Sequence, residues 1–254
     1  MYLISSIPKD EAIDFIQRYH YSKILPRLTK HYLGVYNDRG LVGVITLGWG
    51  TQPLQTIRKL FSNHDLLTTD YLEIGKMCFM PVINNDGHSG SQIMTALIKW
   101  MKKNTNCLFL YTLADGIMGK CGFVYQASNF TYLGKFKTAV YMDRLSGEKI
   151  HPRSAKTLLL ENAEFDGVKK RHWLTHDFCE YKGIDKLQGL MFRYVFPLNK
   201  EARIILKSYP NYGNLDYPKT HDLLFERRVD QGVYEKITKP TFNMNHFHYN
   251  YQKY

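Results

Sequence analysis

The sequence predicts an α/β (α+β) fold, with a central mixed sheet flanked by helices and a C-terminal extension. Two observations carry this prediction. Strand-like apolar segments alternate with amphipathic helical segments over the first 145 residues, and no segment repeats another. Turn residues also fall between the predicted elements, as in Asn37-Asp38-Arg39-Gly40, which is expected to join two strands.

The first elements are a short strand and a helix. Residues 2–5 have strand character, and Pro8 opens a segment whose apolar side chains recur at helical spacing. These side chains are Ala12, Phe15, Ile16 and Tyr19. The helix is expected to end near His20. The elements that follow are a strand over 32–36, a strand over 41–47 and a loop or short helix over 48–61.

A second amphipathic helix is predicted after a polar, glycine-containing loop. Its N-terminus is expected near Ser89. Its apolar face is formed by Ile93, Met94, Leu97, Ile98 and Met101. The other elements of the first 145 residues are a strand over 71–80, a strand over 107–112, a short helix over 124–128 and a strand over 132–142.

Three regions are expected along the chain. Residues 1–145 form the core, and residues 146–228 form an extension that packs on it and could add DNA contacts. Residues 229–254 lack periodicity and are expected to form an aromatic and polar arm. The extension is predicted to contain a helix over 156–162, a strand over 189–196 and a helix over 200–206.

The chain is basic, with 34 Lys and Arg against 23 Asp and Glu and a formal net charge of +11. Residues 1–150 carry +6 and residues 151–254 carry +5, so the charge is spread through the fold. Such a surface suits a polyanion, although a high pI is also common among proteins that bind no nucleic acid.

Composition also restricts where the protein is expected to act. The mean hydropathy is −0.36. No apolar run approaches the roughly 18 residues of a membrane span, which excludes a membrane protein. Residues 1–10 lack the pattern of a signal peptide, and the four cysteines form no C-x-x-C pair. We therefore expect a cytoplasmic protein with reduced thiols.

The loop before Ser89 has the composition of an anion site, because small residues and a helix N-terminus present backbone N–H groups to a phosphate. The segment Gly87-x-Ser89-Gly90-Ser91 resembles the pyrophosphate loop of the GNAT acetyltransferases, whose pattern is Gln/Arg-x-x-Gly-x-Gly/Ala. Asn84 stands for Gln/Arg, and Ser89 stands for the second glycine. The resemblance implies acetyl-CoA or a related acyl donor, held by Gly87, Ser89, Gly90 and Ser91.

A further candidate segment combines Asp115, three nearby glycines and Tyr125. An aspartate just beyond a buried strand lies where ligands bind in open sheets. Read with His20-Tyr21, this segment resembles the Mom family of bacteriophage DNA-modification proteins, over roughly residues 15–140. The matching motifs are Ala114-Asp115-Gly116, Tyr125-Gln-Ala127-Ser-Asn-Phe130, His20-Tyr21-Ser22 and Glu73-Ile-Gly-Lys76-Met77, with Lys76 where the family has arginine.

The resemblance implies a GNAT-like fold and an enzyme that adds a methylcarbamoyl group to the N6 amine of adenine in DNA, which protects phage DNA from host restriction. It implies double-stranded DNA as the substrate, the cytoplasm of a bacterial host as the location, and Lys76 as a donor contact. It also implies iron, with His20, Tyr21, Asp115 and Tyr125 as candidate ligands. A homodimer is left open.

The residue types fit such a transfer. An exocyclic amine is a poor nucleophile, so the reaction needs a proton acceptor, a positioned donor and stabilisation of developing charge. Asp115 could contact the adenine edge or act as base, and His20 could act as base or metal ligand. Tyr21 and Tyr125 could donate hydrogen bonds, ligate a metal or stack. The basic residues expected to contact phosphates are Arg58, Lys59, Lys135, Lys137, Lys169, Lys170 and Arg171.

Two other functions remain open from the sequence. One is a GNAT-fold transferase that uses acyl-CoA to modify a small molecule or a protein, with no continuous basic surface leading to Asp115. The other is a non-catalytic DNA-binding protein, whose salt-dependent DNA affinity would be unaffected by Asp115→Ala or His20→Ala.

Overall fold

A computed structural model describes residues 1–25, 27–50, 52–84, 89–151 and 156–244. Over these residues the chain forms a mixed α/β structure, so the predicted α/β (α+β) class is confirmed. The strands are β1 Leu3–Ser6, β2 Leu28–Asn37, β3 Gly40–Trp49, β4 Tyr71–Phe79, β5 Phe109–Asp115, β6 Thr131–Asp143, β7 Lys149–Ile150, β8 Ile184–Pro197, β9 Phe225–Asp230 and β10 Val233–Lys236. The helices are α1 Lys9–Tyr19, α2 Pro53–Leu60, α3 Pro81–Asn84, α4 Ser89–Asn104, α5 Phe123–Gln126, α6 Lys156–Phe165, α7 His176–Lys182 and α8 Lys200–Lys207.

The chain divides into two compact units, each assembled from separate stretches of sequence. The first unit comprises Met1–Ala114, Gly122–Gly134 and Phe192–Pro218. The second comprises Asp115–Cys121, Lys135–Met191 and Lys219–Tyr254. Strands β6 and β8 each contribute residues to both units. The domain boundaries expected near residues 145 and 228 stay a prediction.

The first unit is built on the strand order β1-β2-β3-β4-β5, continued by its parts of β8 and β6. Pairs β1–β2, β2–β3 and β3–β4 are antiparallel, whereas β4–β5 is parallel. Helix α1 buries Ala12, Phe15 and Ile16 of the predicted face in a cluster with Val44 of β3 and Cys78 of β4, whereas Tyr19 in its last turn is exposed, so its predicted place on the buried face is wrong. The amphipathic pattern therefore fixes which side of the sheet α1 covers.

A second cluster in the first unit lies beneath α2 and α8. Phe109 and Tyr111 of β5 pack with Tyr71 at the start of β4. The other buried members are Ile57, Leu60, Phe61, Leu66, Leu133, Val195, Ala202, Ile205 and Leu206. The Phe61 and Phe109 rings stack with centroids 5.0 Å apart. This cluster holds the beginnings of β4 and β5 side by side.

In the second unit, β7 pairs with β6, β9 pairs with β8 and β10 pairs with β9, all antiparallel. Its core is the cluster Tyr141, Ile150, Leu158, Leu174, Phe178, Cys179 and Ile184. Helix α7 and the β9–β10 hairpin were not predicted. The chain between 229 and 236 is part of this hairpin, and residues 245–254 of the expected arm lie outside the described residues.

Gly122 supports the start of α5 in two ways. Its φ is +91°, a left-handed conformation that costs an L-residue about 1–2 kcal/mol. A Cβ on Gly122 would also lie 2.5 Å from the Cε2 atom of Tyr194. The close packing of α5 on the Tyr194 ring therefore requires glycine here.

We expect Gly122→Ala to lower the free energy of unfolding by about 2–4 kcal/mol, because backbone strain and overpacking add. Gly213→Ala is the matched control. Gly213 has φ +76° and open space where the Cβ would lie, so only the strain of about 1–2 kcal/mol applies. Urea unfolding measures both variants, and equal losses would contradict the packing role of Gly122.

Candidate functional site

The parallel strands β4 and β5 pair only at their beginnings. The paired residues are Tyr71 with Phe109, Leu72 with Leu110, and Glu73 with Tyr111. β4 continues to Phe79 and β5 to Asp115, and no further ladder pair joins them among the described residues. The carboxyl ends of parallel strands are where open sheets bind ligands.

A β-bulge at Gly75 accompanies this separation. On the β3 side Thr46 pairs with Lys76 and Leu47 pairs with Ile74, so Gly75 is an extra residue of β4. A bulge bends its strand and raises its local twist. It lies two residues beyond the last β4–β5 pair, which is the position where β4 leaves β5.

Buried phenols lie where the two strands part. The Tyr71 and Tyr111 rings meet edge to face, with centroids 6.1 Å apart. Burial, reinforced by the charge of Glu73, raises the pKa of each phenol to about 12. Tyr71 donates to the Pro53 carbonyl, and Arg193 Nε donates to the Tyr111 hydroxyl over 3.4 Å. These phenols stay protonated at neutral pH and act as hydrogen-bonding groups beside a carboxylate.

Tyr125, a predicted site residue, is buried in the same unit. Its ring lies 5.5 Å, centroid to centroid, from both Phe130 and Tyr194. Burial raises the pKa of the Tyr125 phenol, the Thr112 hydroxyl beside it lowers that pKa, and the charge of Glu73 raises it. Tyr125 is therefore a neutral phenol and not a phenolate.

His20 and Tyr21, the other predicted pair, follow directly on α1. The His20 backbone N–H caps the helix by donating to the Ile16 carbonyl. The Ser22 backbone N–H donates to His20 Nδ1 over 2.9 Å, and the Ser22 carbonyl oxygen lies 2.9 Å from the same atom. The His20 ring is buried and stacks on Tyr21 with centroids 4.4 Å apart. Local backbone geometry thus fixes the imidazole.

Lys76 of β4 connects this segment to the sheet. Its Nζ donates to Ser22 Oγ over 2.8 Å. Lys76 pairs with Thr46 across the sheet, just beyond the Gly75 bulge. Two segments that are more than 50 residues apart in the sequence, His20-Tyr21-Ser22 and the Lys76 region, are therefore in contact. This is the strongest convergence among the predicted site residues.

The predicted donor loop is described only from Ser89 onward, and Gly87 lies outside the described residues. Helix α4 begins at Ser89, as predicted. Ser89 Oγ is buried and hydrogen-bonded to the Tyr2 hydroxyl at 2.6 Å, which ties the helix N-terminus to the strand segment at the chain start. A Cβ on Gly90 would lie 2.9 Å from Val124 Cγ2, so Gly90 permits close packing of α4 on α5. Ser91 is partly exposed in the first turn.

Asp115 belongs to the second unit. Its carboxylate accepts a hydrogen bond from Lys149 Nζ of β7 over 3.0 Å. The same Nζ lies 5.5 Å from the centre of the Phe242 ring. The sequence did not point to Lys149, because β7 has only two residues and no periodicity. Tyr71 and Tyr111 were also missed, and Glu73 was named only as part of a motif, without a role. The i, i+2 spacing of Tyr71 and Glu73 on β4 is a signal that could have linked these two side chains.

The expected DNA contacts lie in both units. Arg58 and Lys59 are on α2, and Arg58 Nε donates to the Leu66 carbonyl over 3.0 Å. Lys135 and Lys137 are exposed on β6, where Lys137 is ion-paired with Glu226 at 2.8 Å. The remaining three, Lys169, Lys170 and Arg171, lie between α6 and α7, and Arg171 is ion-paired with Asp166 at 2.6 Å.

The structure gives no support for iron at the four candidate ligands. The Asp115 carboxylate is paired with Lys149, the pKa of the Tyr125 phenol is raised by burial, and His20 Nδ1 lies 2.9 Å from both the nitrogen and the carbonyl oxygen of Ser22. A ferric ion requires anionic oxygen or unprotonated nitrogen donors facing it. Within the described ranges no group of three or more His, Cys, Asp or Glu side chains could hold a metal ion. The iron implied by the resemblance is not supported, and we derive no step through a metal.

The sequence profile described as the Mom protein family matches residues 1–219, and the chain belongs to that family. Over 194 residues it is 27% identical to methylcarbamoylase mom of Escherichia phage Mu. This match covers 76% of the chain and 73% of the phage Mu protein.

Solved structures with partial likeness are acetyltransferases. An N-acetyltransferase from Staphylococcus aureus Mu50 has a TM-score of 0.38 at 14% identity. The match covers 78% of this chain and 98% of the Staphylococcus aureus chain. The ribosomal-protein-S18-alanine N-acetyltransferase from Escherichia coli has a TM-score of 0.39 at 8% identity, and covers 78% and 95%. Both TM-scores are below 0.5. The fold class is established by the strand order of the mixed sheet and not by these likenesses. No helix among the described residues is long and apolar enough to span a membrane.

The raised pKa of Tyr111 predicts a pH dependence of stability. The unfolded phenol ionises near pH 10 and the folded one near pH 12, so the stabilisation is complete below pH 10 and is lost as the pH rises to 12. Two pKa units correspond to about 3 kcal/mol. Tyr111→Phe should therefore lose about 2 kcal/mol less than the wild type between pH 10 and pH 12, because the remainder of the difference lies outside this interval.

Denaturant unfolding at pH 9, 10, 11 and 12 measures this difference. Tyr181→Phe, which removes an exposed hydroxyl, is the matched control and should follow the wild type. If Tyr111→Phe and the wild type lose the same free energy between pH 10 and pH 12, the buried phenol is not the cause.

Proposed function

We propose that this chain is a transferase that adds a small acyl or carbamoyl-type group to the N6 amine of adenine in DNA. By likeness to the phage Mu methylcarbamoylase, the proposed group is methylcarbamoyl. The proposed role of the modification, implied by the family resemblance, is to protect phage DNA from host restriction. The observation that carries the proposal is the contact between Lys76 and Ser22. It joins two segments that match separate motifs of the family to which residues 1–219 belong.

The donor we propose is acetyl-CoA or a related acyl donor. We place this donor at the carboxyl ends of the parallel strands β4 and β5, since open sheets bind ligands beyond such strand ends. The N-terminus of α4, with Gly90 and Ser91 in its first turn, offers N–H groups and a favourable dipole for phosphates. A thioester donor would supply an activated carbonyl carbon: the bond from N6 to this carbon forms as the C–S bond breaks, the amine proton passes to the base and the thiol leaves. Acetyl-CoA would give an N6-acetyl group, so a methylcarbamoyl product requires a donor whose transferred group already carries the methylamino nitrogen.

His20 is proposed to stabilise charge at that carbonyl. The Ser22 nitrogen and carbonyl oxygen each lie 2.9 Å from Nδ1, and of the two neutral tautomers we propose the one in which the Ser22 N–H donates to Nδ1 and the proton is on Nε2. In this tautomer Nε2 is a donor, suited to an oxygen that gains negative charge in the transition state. The buried, stacked ring keeps this direction fixed, so little reorganisation is needed.

Asp115 is proposed as the proton acceptor or as a contact to the adenine edge. Its ion pair with Lys149 holds the carboxylate in one orientation and leaves its other oxygen available to accept. Tyr21 and Tyr125 are proposed to donate hydrogen bonds or to stack on the base. The proposed substrate is double-stranded DNA, and the proposed place of action is the cytoplasm of a bacterial host.

Mass spectrometry of nucleosides tests the reaction directly. DNA from bacterial cells that express the wild type should contain an altered deoxyadenosine whose added mass identifies the transferred group. Asp115→Ala and His20→Ala should lower its amount by a factor of about 100 or more, since positioned acid–base groups contribute about 10²–10⁴. Asp38→Ala, in the exposed β2–β3 turn, is the matched control and should keep the modification.

The same experiment separates the alternatives. An active wild type that produces no altered deoxyadenosine contradicts the proposal. If an acylated small molecule or protein appears instead, the chain is an acyl-CoA transferase of the other class. If DNA is bound but unmodified, and the binding is insensitive to Asp115→Ala, the chain is a DNA-binding protein without this activity.

Lys76 provides a second test, because the family has arginine at this position. We expect Lys76→Ala to lower the modification rate about 10- to 100-fold, since it removes a charged hydrogen bond to Ser22. Lys76→Arg should retain most of the activity, because it keeps a cation within reach of Ser22. A loss confined to protein stability, with an unchanged rate per folded molecule, would show that Lys76 is only structural.

A further inference from the structure

The segment 166–175, between α6 and α7, is an exposed loop tied down at both ends. Asn162 of α6 is buried and supplies the ties. Its Nδ2 donates to Asp166 Oδ2 and to Thr175 Oγ1, each over 2.9 Å, and its Oδ1 accepts from the Thr175 N–H over 2.8 Å. One amide therefore binds the first and the last residue of the loop.

Further hydrogen bonds fix the end of this loop to the second-unit core. Arg228 of β9 is buried, and its Nη2 donates to the Thr175 carbonyl over 3.0 Å. The Leu174 N–H donates to the Tyr141 hydroxyl over 3.3 Å. Arg171 is ion-paired with Asp166 across the loop at 2.6 Å. The loop is therefore preorganised, although its middle makes little contact with the core.

The loop presents an aromatic ring and two cations to solvent. Trp173 is 60% exposed, whereas tryptophan side chains, with their large apolar area, are on average highly buried in folded proteins. Lys169 and Lys170 are exposed, and no ion pair joins either to another of the described residues. Beside the loop, the Phe165 and Tyr181 rings stack 5.1 Å apart and are 47% and 70% exposed.

This combination favours a nucleic acid over a protein as the occupant. Lysine is depleted in protein–protein interfaces, whereas aromatic residues are enriched in both kinds of interface. Cations beside exposed rings are typical of surfaces that contact phosphates and stack on bases. Residues 166–175 carry three Lys and Arg against one Asp, a net charge of +2 with His172 neutral, which complements a phosphate backbone.

We propose that the loop 166–175 is a DNA-reading element, in which Trp173 stacks on a base of duplex DNA at an unstacked step while Lys169 and Lys170 contact the flanking phosphates. The inference rests on the proposed function in one respect, that DNA is the substrate. An enzyme that acts on a base must reach it within the duplex or unstack it, and an inserted ring offsets the loss of base stacking. The fixed ends of the loop lower the entropy lost on binding.

The test is binding of the full chain to a 20-bp duplex, fully paired or with one mismatched adenine, at several salt concentrations. Trp173→Ala should weaken binding about 10- to 100-fold without changing the salt dependence, and more strongly on the mismatched duplex, where unstacking costs less. Lys169→Ala/Lys170→Ala should reduce the slope of log K against log salt by about 1.8. Trp173→Phe should recover most of the affinity.

Matched controls are Leu145→Ala, which removes another exposed apolar side chain, and Lys200→Ala/Lys207→Ala, which removes two exposed charges from α8. Both should bind as the wild type does. Circular dichroism and thermal unfolding establish that the variants fold. Unchanged DNA affinity in Trp173→Ala overturns the inference. A Trp173→Ala variant that differs from the wild type only in its sedimentation coefficient also overturns it, because the loop would then serve self-association.

The outcome is separable from that of the proposed function. DNA affinity is measured without turnover, so Trp173-dependent binding by a chain that modifies no adenine would sustain the loop assignment and contradict only the reaction. Modified adenine from a chain whose DNA affinity ignores Trp173, Lys169 and Lys170 would sustain the reaction and overturn the loop assignment.

Discussion

The short parallel pairing of β4 with β5 is the constraint on which the first unit depends. Three residue pairs join the strands, and the cluster around Tyr71 and Phe109 fixes them there. Beyond Glu73 the Gly75 bulge bends β4, and its inner edge has no ladder partner among the described residues. A bulge bends its strand and raises its local twist, so β4 turns away from β5 directly after their last residue pair. The packing that stabilises the sheet also determines where it is open.

The fold was predictable where the signal is local. The periodicity of Ala12, Phe15 and Ile16 gives the buried face of α1, and Ser89 marks the beginning of α4. Helix α7 and the β9–β10 hairpin were not predictable in the same way, because they are short, polar and stabilised by distant partners. Arg228, for example, has the composition of a solvated strand residue, yet it is buried because it donates to the end of the loop before α7. Such bonds depend on tertiary contacts that no short window of sequence contains.

The candidate site was predictable through motifs but not through geometry. His20, Tyr21 and Lys76 came from their matches to a family pattern, and the structure places the Lys76 segment against Ser22. Glu73 belongs to the same strand motif, but its proximity to Tyr71 and Tyr111 follows from the register between β4 and β5. A parallel register joins residues 38 apart in the chain, and the hydrophobic pattern of either strand alone does not specify it.

Net charge is a poor guide to where a polyanion binds, because ion pairing removes much of it locally. In the second unit Lys137 is paired with Glu226, Arg171 with Asp166, and Arg227 with Glu235. Two of these three cations were among the expected DNA contacts. A cation that is already paired gains less from a phosphate, since the acidic partner must be displaced or left without its ion pair. The cations that best indicate a polyanion site are those held beside exposed aromatic rings on a fixed backbone. Lys169 and Lys170 meet that condition, because Asn162 makes hydrogen bonds to both ends of their loop.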